Sequence, residues 1–149
     1  MTVNPSLTER EFPPTAPYLV GREKVREFAR AVHATAPLHH DPAVARAAGF
    51  ADVVAPPTFP VVVQEATLAQ LLAEPDGGID FSRVVHGEQR FDFVRPVIAG
   101  DELTATLRVT SVKSLGGNSM VTAESSIVDA DGVLVVTAVS TLVVRGDDA

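Results

Sequence analysis

The stretch PVVVQEATLAQLLA, residues 60–73, decides how the rest of the chain is interpreted. Its three consecutive valines favour a strand by propensity. The run nevertheless continues to Ala73 without a turn signal, and its leucines repeat at helical spacing. Pro60 suits a first helical turn, and the PDGG cluster that follows ends the element. We predict a helix that is apolar around most of its circumference and is therefore buried inside the fold.

After Gly78 the pattern changes to period two or to continuous β-branched runs, which is typical of strands. Turn signals separate these runs at Ala99-Gly100-Asp101, at Gly116-Gly117-Asn118 and at Asp131-Gly132. Four strands joined by three tight hairpin turns make an antiparallel meander in sequence order. The predicted strands cover 84–94, 102–112, 119–128 and 133–144.

One long buried helix followed by an antiparallel meander indicates an α+β fold in which a curved antiparallel sheet wraps the helix. This arrangement is the hot-dog fold, whose sheet leaves one edge that typically pairs across a dimer. The last strand, 133–144, is so apolar that an exposed edge position would be a liability. We therefore expect it inside the sheet or at a dimer contact.

The first half of the chain is predicted to be helical. Residues 21–34 place apolar side chains at helical spacing between charged ones, which indicates an amphipathic helix. Asp41-Pro42 is a typical helix start, with Asp as the N-cap and Pro in the first turn, and the short helix it opens ends at Gly49. The stretch EREFPP, 9–14, is predicted to add an edge strand.

Length and composition limit the classes of function. At 149 residues the chain is expected to form a single domain, 1–149. Its formal charge of −7 disfavours nucleic acid and anionic membranes, because both reward a basic face. The lack of cysteine excludes disulfides and thiolate chemistry. The N-terminus has no secretory signal pattern and no apolar run could span a bilayer, so a cytoplasmic location is expected.

The order of several motifs resembles the MaoC-like family of (R)-specific hydratases and dehydratases. Within it the chain is most similar to the small actinobacterial-type (3R)-hydroxyacyl-thioester dehydratase subunits and to FAS1-like dehydratase domains. The similarity extends from Tyr18 to Val144. The motifs are PLH (37–39), ARAAGF (45–50), APPTFP (55–60), HGEQRFDF (86–93) and RPVIAGDEL (95–103).

The family's active-site loop has the form G-D-x-N-P-L-H, followed six residues later by a small residue. Aligning its last three positions with 37–39 puts Ala45 on that small residue. The same alignment puts His33 on the glycine, Ala34 on the catalytic aspartate and Ala36 on the asparagine. The resemblance thus implies that the histidine is retained, as His39, and that its aspartate is lost.

In the family the histidine is a general acid and base, a role that suits imidazole near neutral pH. Backbone N–H groups at a helix start polarise the thioester carbonyl. Here that start is Thr58-Phe59-Pro60, and because Pro60 has no N–H, the donors would come from Phe59 or Val61. His86, on the first predicted strand, is a further candidate to line the pocket, as is Glu88.

Structural explanations compete with these roles. His39 could be a loop histidine that hydrogen-bonds to backbone, His40 has no match in the motif and is expected at the surface, and N-capping accounts for Asp41. A metal site would use His33, His39, His40 and Asp41, but their spacing matches no known metal motif. We therefore predict no metal and no cofactor.

Three functions remain open. The first is a (3R)-hydroxyacyl-CoA or acyl-carrier-protein dehydratase, or its non-catalytic subunit in a homodimer or in a heterodimer with a catalytic hot-dog partner. The second is a hot-dog acyl-thioesterase, for which Glu65 is the candidate carboxylate. The third is a non-enzymatic acyl-binding or scaffold subunit. Arg90 and Arg95 are candidates to bind the phosphates of the carrier.

Overall fold

The computed structural model describes residues 2–147. Among these residues, no helix has the length and apolar character that crossing a membrane would need. The helices are α1 (Arg22–Ala31), α2 (Pro42–Ala47) and α3 (Pro60–Leu72), with single 3-10 turns at Pro5–Leu7, Pro37–His39 and Phe81–Arg83. The strands are β1 (Tyr18–Leu19), β2 (Val84–Phe93), β3 (Glu102–Leu115), β4 (Asn118–Val128) and β5 (Leu134–Val144).

The predicted start and end signals of α2 are both confirmed. The Asp41 side chain accepts a hydrogen bond from Ala43 N–H as the N-cap, and Gly49 after the helix has a φ of +96°.

The sheet is antiparallel, and its strand order is β1-β3-β4-β5-β2. The four long strands were predicted correctly, but the simple meander was wrong, because β2 pairs with β5 and not with β3. Gly100-Asp101 is accordingly a turn within a crossing connection and not a hairpin. This topology puts β5 inside the sheet, as expected for so apolar a strand.

Helix α3 lies across β3, β4 and β5 on one side of the curved sheet. Its buried face carries Val63, Gln64, Thr67 and Leu71, while the opposite face, which includes Glu65, is exposed. The expectation that α3 is buried around most of its circumference was therefore wrong for the single chain. Burying a polar Gln and Thr is possible because both make hydrogen bonds there.

The apolar core consists of two clusters beneath α3. One is built around Phe59 and Val63 near the start of the helix, and the other around Leu71 near its end. Between them lie the buried polar side chains of α3 and of Ser125 and Ser140 on the sheet. The core is thus divided by a polar layer in its middle.

An N-terminal arm closes the second cluster with the buried side chains of Val3, Leu7 and Phe12. The arm runs along β3, and Phe12 N–H donates to the Leu107 carbonyl. The predicted edge strand at 9–14 is reduced to one isolated bridge, between Glu11 and Arg108. Three of its six residues limit pairing, since two prolines cannot donate and Glu9 has φ 66°.

Candidate functional site

The histidine-containing loop begins where α1 ends, three residues earlier than predicted. His33 has a φ of +57°, in the left-handed region that ordinarily favours glycine. This is the position at which the family's loop carries glycine, so the backbone keeps the glycine conformation although the residue has changed. The chain then continues into the 3-10 turn Pro37–His39 and into α2.

His33→Gly is expected to raise the free energy of unfolding by about 0.5–1 kcal/mol. Relief of the left-handed cost, about 1–2 kcal/mol, exceeds the greater backbone entropy that glycine loses on folding, about 0.5–1 kcal/mol. Urea denaturation measures the difference, with Ala31→Gly in the last turn of α1 as a control that should lose stability. A less stable His33→Gly protein would mean that the exposed imidazole makes contacts worth more than the strain.

His39 is held by a hydrogen bond between its Nδ1 and the carbonyl oxygen of Val54, at 2.6 Å. Because a carbonyl can only accept, Nδ1 must carry the proton, and in the neutral ring Nε2 is then unprotonated. Nε2 makes no hydrogen bond to any residue from 2 to 147. The main chain therefore fixes the tautomer and leaves a basic nitrogen for another group.

A pocket of about 310 Å³ opens beside His39. Its walls are largely apolar, and they come from the segment before α3 on one side and from the end of β2 on the other. No Asp or Glu from residues 2–147 lines it, so within that range His39 is its only candidate base. The lining residues are His39, Val54, Ala55, Pro57, Phe93, Val94, Arg95 and Pro96.

Ala34 keeps its place in the loop through its backbone. Its N–H donates to the Ala29 carbonyl, and its own carbonyl accepts from Nε2 of His40 at 2.8 Å. His40 is half-buried, and its carbonyl accepts from Arg26 Nε at 2.8 Å, so the expectation of a surface residue was wrong. The second histidine of the doublet thus fastens the loop to α1.

The turn before α3 uses the N–H groups that the resemblance implied for the substrate. Phe59 N–H donates to the Pro56 carbonyl at 2.9 Å, and Val61 N–H donates to Thr58 at 3.2 Å. Thr58 itself is exposed, whereas the Phe59 ring is fully buried. Substrate contacts by these three residues stay a prediction, and they would need the turn to adjust.

Arg95 lines the pocket with its stem while its guanidinium is engaged elsewhere. Two of its nitrogens bind the carboxylate of Asp101, at 2.8 and 3.0 Å, and one lies 3.4 Å from Asp129. This contact with Asp101 raises the pKa of Arg95, and hydrogen bonds from backbone N–H groups lower the pKa of Asp129. The arginine therefore braces the β2–β3 connection and is not free to bind phosphate.

Two other candidates, Arg90 and His86, lie away from the pocket. Arg90 is on the outer face of β2 and forms an ion pair with Asp92, with a nitrogen–oxygen distance of 3.1 Å. His86 Nε2 donates a hydrogen bond to Gln89 Oε1 at 3.0 Å. Neither residue lines the pocket. Among residues 2–147, no cluster of three or more His, Asp or Glu side chains could hold a metal ion.

The end of β2 was missed by the sequence analysis as a wall of the pocket. Phe93 and Val94 are 40% and 66% exposed, and both line it. The signal in the sequence was Arg95-Pro96, because a proline cannot donate to the sheet and ends β2 there. Both residues line the pocket together with His39. The resemblance drew attention to the histidine loop and to the start of α3 instead.

An ion pair joins α1 to the segment that leads to the pocket. Arg22 binds both carboxylate oxygens of Asp52, at 2.9 and 2.6 Å, and Val53 N–H donates to the same carboxylate. The hydrogen bond from Arg22 lowers the pKa of Asp52 to about 2. The ion pair thus holds Asp52 in place, two residues before Val54, whose carbonyl oxygen orients His39.

Comparisons with known proteins agree on the fold and on the type of domain. Residues 6–138 match the model of the family described as FAS1-like, dehydratase domain region. The chain is 74% identical over 149 residues to a UPF0336 protein of Clavibacter michiganensis subsp. michiganensis, and covers 100% of both chains.

Two solved structures are similar at a level that goes beyond the fold. One is a chain of the C-terminally truncated HadBC (3R-hydroxyacyl-ACP dehydratase) complex from Mycobacterium tuberculosis, with a TM-score of 0.85 and 33% identity over 92% of this chain and 96% of that chain. The other is a MaoC-like dehydratase, with a TM-score of 0.88 and 35% identity over 96% of this chain and 43% of that longer chain.

Proposed function

Since the chain belongs to the family described as FAS1-like, dehydratase domain region, we propose that it is the acyl-thioester-binding subunit of a (3R)-hydroxyacyl-thioester dehydratase. One observation carries the proposal: His39, with its tautomer fixed by Val54, lines an apolar pocket to which the described part of the chain contributes no carboxylate. The subunit would bind and orient the acyl-thioester and would perform little of the proton transfer.

Dehydration needs a base that removes the proton next to the thioester carbonyl and an acid that protonates the departing hydroxyl. His39 Nε2 can accept or return one proton. Ala34 and Ala36, at the positions where the family has Asp and Asn, have no group that could hold the water. Removing one member of an acid–base pair costs about 10²–10⁴ in rate, so His39 alone makes a poor dehydratase.

A catalytic hot-dog subunit would supply the missing pair, and the outer edge of β2 is where we place it. β2 is at the end of the sheet, so the outer N–H and C=O groups of its ten residues have no strand partner among residues 2–147. Exposed apolar side chains surround this edge: Phe81, Val85, Phe93 and Val94. Such an edge is a liability unless another chain covers it. The pocket opens at the same end of β2, so a partner there would also enclose the substrate.

Hydrogen exchange tests this edge. In the assembled protein, peptides that cover 84–93 should exchange about tenfold or more slowly than after dilution to the monomer, because pairing protects the outward amides. Peptides from β4, which has a strand on each side in the monomer, should change little and are the internal control. Protection that appears elsewhere while 84–93 stays unchanged would move the interface to another surface.

Two measurements on the chain alone test the proposed function itself. The first follows the hydration of trans-2-butenoyl-CoA, and the second measures the binding of dodecanoyl-CoA by calorimetry. We expect the acyl-CoA to bind and hydration to be at least about 10²-fold slower than with an Asp–His pair. His39→Ala should leave binding nearly intact. Rapid hydration that disappears in His39→Ala would instead make this chain a complete hydratase, and a lack of acyl-CoA binding would refute the proposal.

The alternative functions have less support from the site. Glu65, the carboxylate that a thioesterase would need, is on the exposed face of α3 and does not line the pocket. Thioester hydrolysis would require it to reach a carbonyl beside His39. A purely scaffolding subunit would not need the fixed tautomer of His39, and the acyl-CoA binding measurement separates it from the proposed function.

A further inference from the structure

The inner face of β2 is apolar beside the pocket, becomes polar at Gln89 and His86, and is apolar again at Val84. Strand pairing identifies this face, because opposite residues of an antiparallel pair point to the same side of a sheet. Five residues of β2 stand opposite buried residues of β5 on the core side of the sheet. In order from the pocket, they are Phe93, Phe91, Gln89, His86 and Val84.

A bulge brings His86 to this face. Side chains alternate along a strand, so residues 86 and 89 would ordinarily point to opposite sides. Gly87 is an extra residue with no partner on β5, and it resets the alternation. A Cβ on Gly87 would lie 3.1 Å from Val143 Cγ2 and 3.3 Å from the Thr141 carbonyl oxygen, so a side chain there would require these neighbours to shift.

The apolar part of this face, from Phe93 to Phe91, is partly exposed and starts at the pocket, and we call it the trough. Helix α3 packs on β3, β4 and β5 and leaves β2 largely uncovered. Phe93 therefore lines the pocket at 40% exposure, and Phe91 beside it is only half-buried. The two rings are 6.3 Å apart, which gives a continuous apolar floor.

The trough stops at a fixed polar group. Gln89 Oε1 accepts hydrogen bonds from Ser140 Oγ at 2.7 Å and from His86 Nε2 at 3.0 Å. Ser140 in turn accepts from Gln64 Nε2 on α3, at 2.8 Å. Gln64 is fully buried and its Oε1 has no partner among the described residues, so this layer is kept despite an unfavourable buried acceptor.

We propose that Gln89, positioned by Ser140 and His86, ends the acyl-binding trough and so limits the length of the acyl chain that this subunit accepts. The inference rests on the proposed function. Phe93 to Gln89 spans about 13 Å at about 3.3 Å per residue. A staggered alkyl chain with C–C bonds of about 1.5 Å advances about 1.25 Å per carbon, so the trough holds about ten carbons. A longer chain would have to displace the hydrogen-bonded Gln89 or leave its end in water.

The test is calorimetric binding of octanoyl-, dodecanoyl-, hexadecanoyl- and eicosanoyl-CoA, below their micellar concentrations, to the wild type and to Gln89→Leu. Wild-type affinity should rise up to dodecanoyl-CoA and then stop rising. Gln89→Leu should bind the two longest chains about tenfold or more tightly than the wild type does, because the floor is then apolar at position 89 as well and the hydrogen bonds that hold the polar group are lost. Gln89→Met, closer in shape, should behave likewise if the leucine variant folds poorly. Asp92→Leu places the same new side chain on the outer face and should leave the profile unchanged.

The outcomes separate the two proposals. If the wild type binds none of these acyl-CoA compounds, the proposed function is refuted and the trough with it. If the wild type binds them but Gln89→Leu and Gln89→Met keep its chain-length profile, only the limit at Gln89 is overturned. An equal gain in Asp92→Leu would also overturn it, because added surface hydrophobicity would then explain the effect.

Discussion

Phe59→Ala is expected to lower the free energy of unfolding by about 3–5 kcal/mol. The side chain is 0% exposed and is among the largest that the core buries completely. Its ring meets Phe28 of α1 edge to face, with the centroids 5.3 Å apart. Truncation would leave a cavity at the point where α1, the start of α3 and the sheet converge. Domains of this size are stable by about 5–15 kcal/mol, so the loss is large.

Phe81→Ala is the matched control for this experiment. It removes the same atoms from a side chain that is 73% exposed in the single chain, and in protein diluted to the monomer we expect a change within about 0.5 kcal/mol. Guanidinium titrations followed by circular dichroism measure both. If Phe59→Ala kept its stability but lost acyl-CoA binding, the ring would contact the substrate and would not be the main support of the core.

The strands could be predicted from the sequence and their order could not. Each strand is a local pattern of β-branched residues bounded by glycine turns, so the residues themselves define it. The neighbour of β2 depends on a partner more than forty residues away, and the sequence offered a plausible turn at Gly100-Asp101 as a hairpin signal. That turn is used differently, because Asp101 binds Arg95 and bends the connection. A local turn motif therefore indicates a reversal but not which strands it joins.

The part of the candidate site that lies in the histidine-containing loop could be predicted from the sequence. The PLH motif indicated His39, which lines the pocket, and the resemblance implied that Ala34 stands at the position of the family's aspartate, which stays a prediction. The carbonyl that fixes the tautomer, on Val54, comes from a segment fifteen residues away and has no side-chain signature. The polar layer at Gln89 was equally hidden, since only the bulge at Gly87 and the pairing with Ser140 bring its members together.

Ala34→Asp is expected to raise the rate at which the chain hydrates trans-2-butenoyl-CoA by about 10². The loop backbone is already fixed at this position, since His33 has a φ of the kind that glycine ordinarily takes and the Ala34 main chain is held by Ala29 and His40. His39 already has its basic Nε2 free of other partners within residues 2–147. What is absent is the carboxylate, and restoring it supplies the second acid–base group that would hold the water.

Two further variants decide how such a gain is explained. Ala34→Asn has nearly the same shape without a carboxylate, and it should stay at the wild-type rate. Ala34→Asp combined with His39→Ala should lose the gain, because a carboxylate alone cannot complete the proton transfers. If Ala34→Asp folds, binds acyl-CoA and still gains nothing, then the loss of the aspartate is not what limits this subunit. The missing water-holding group would then have to be the asparagine, which Ala36 replaces, or a residue of the partner.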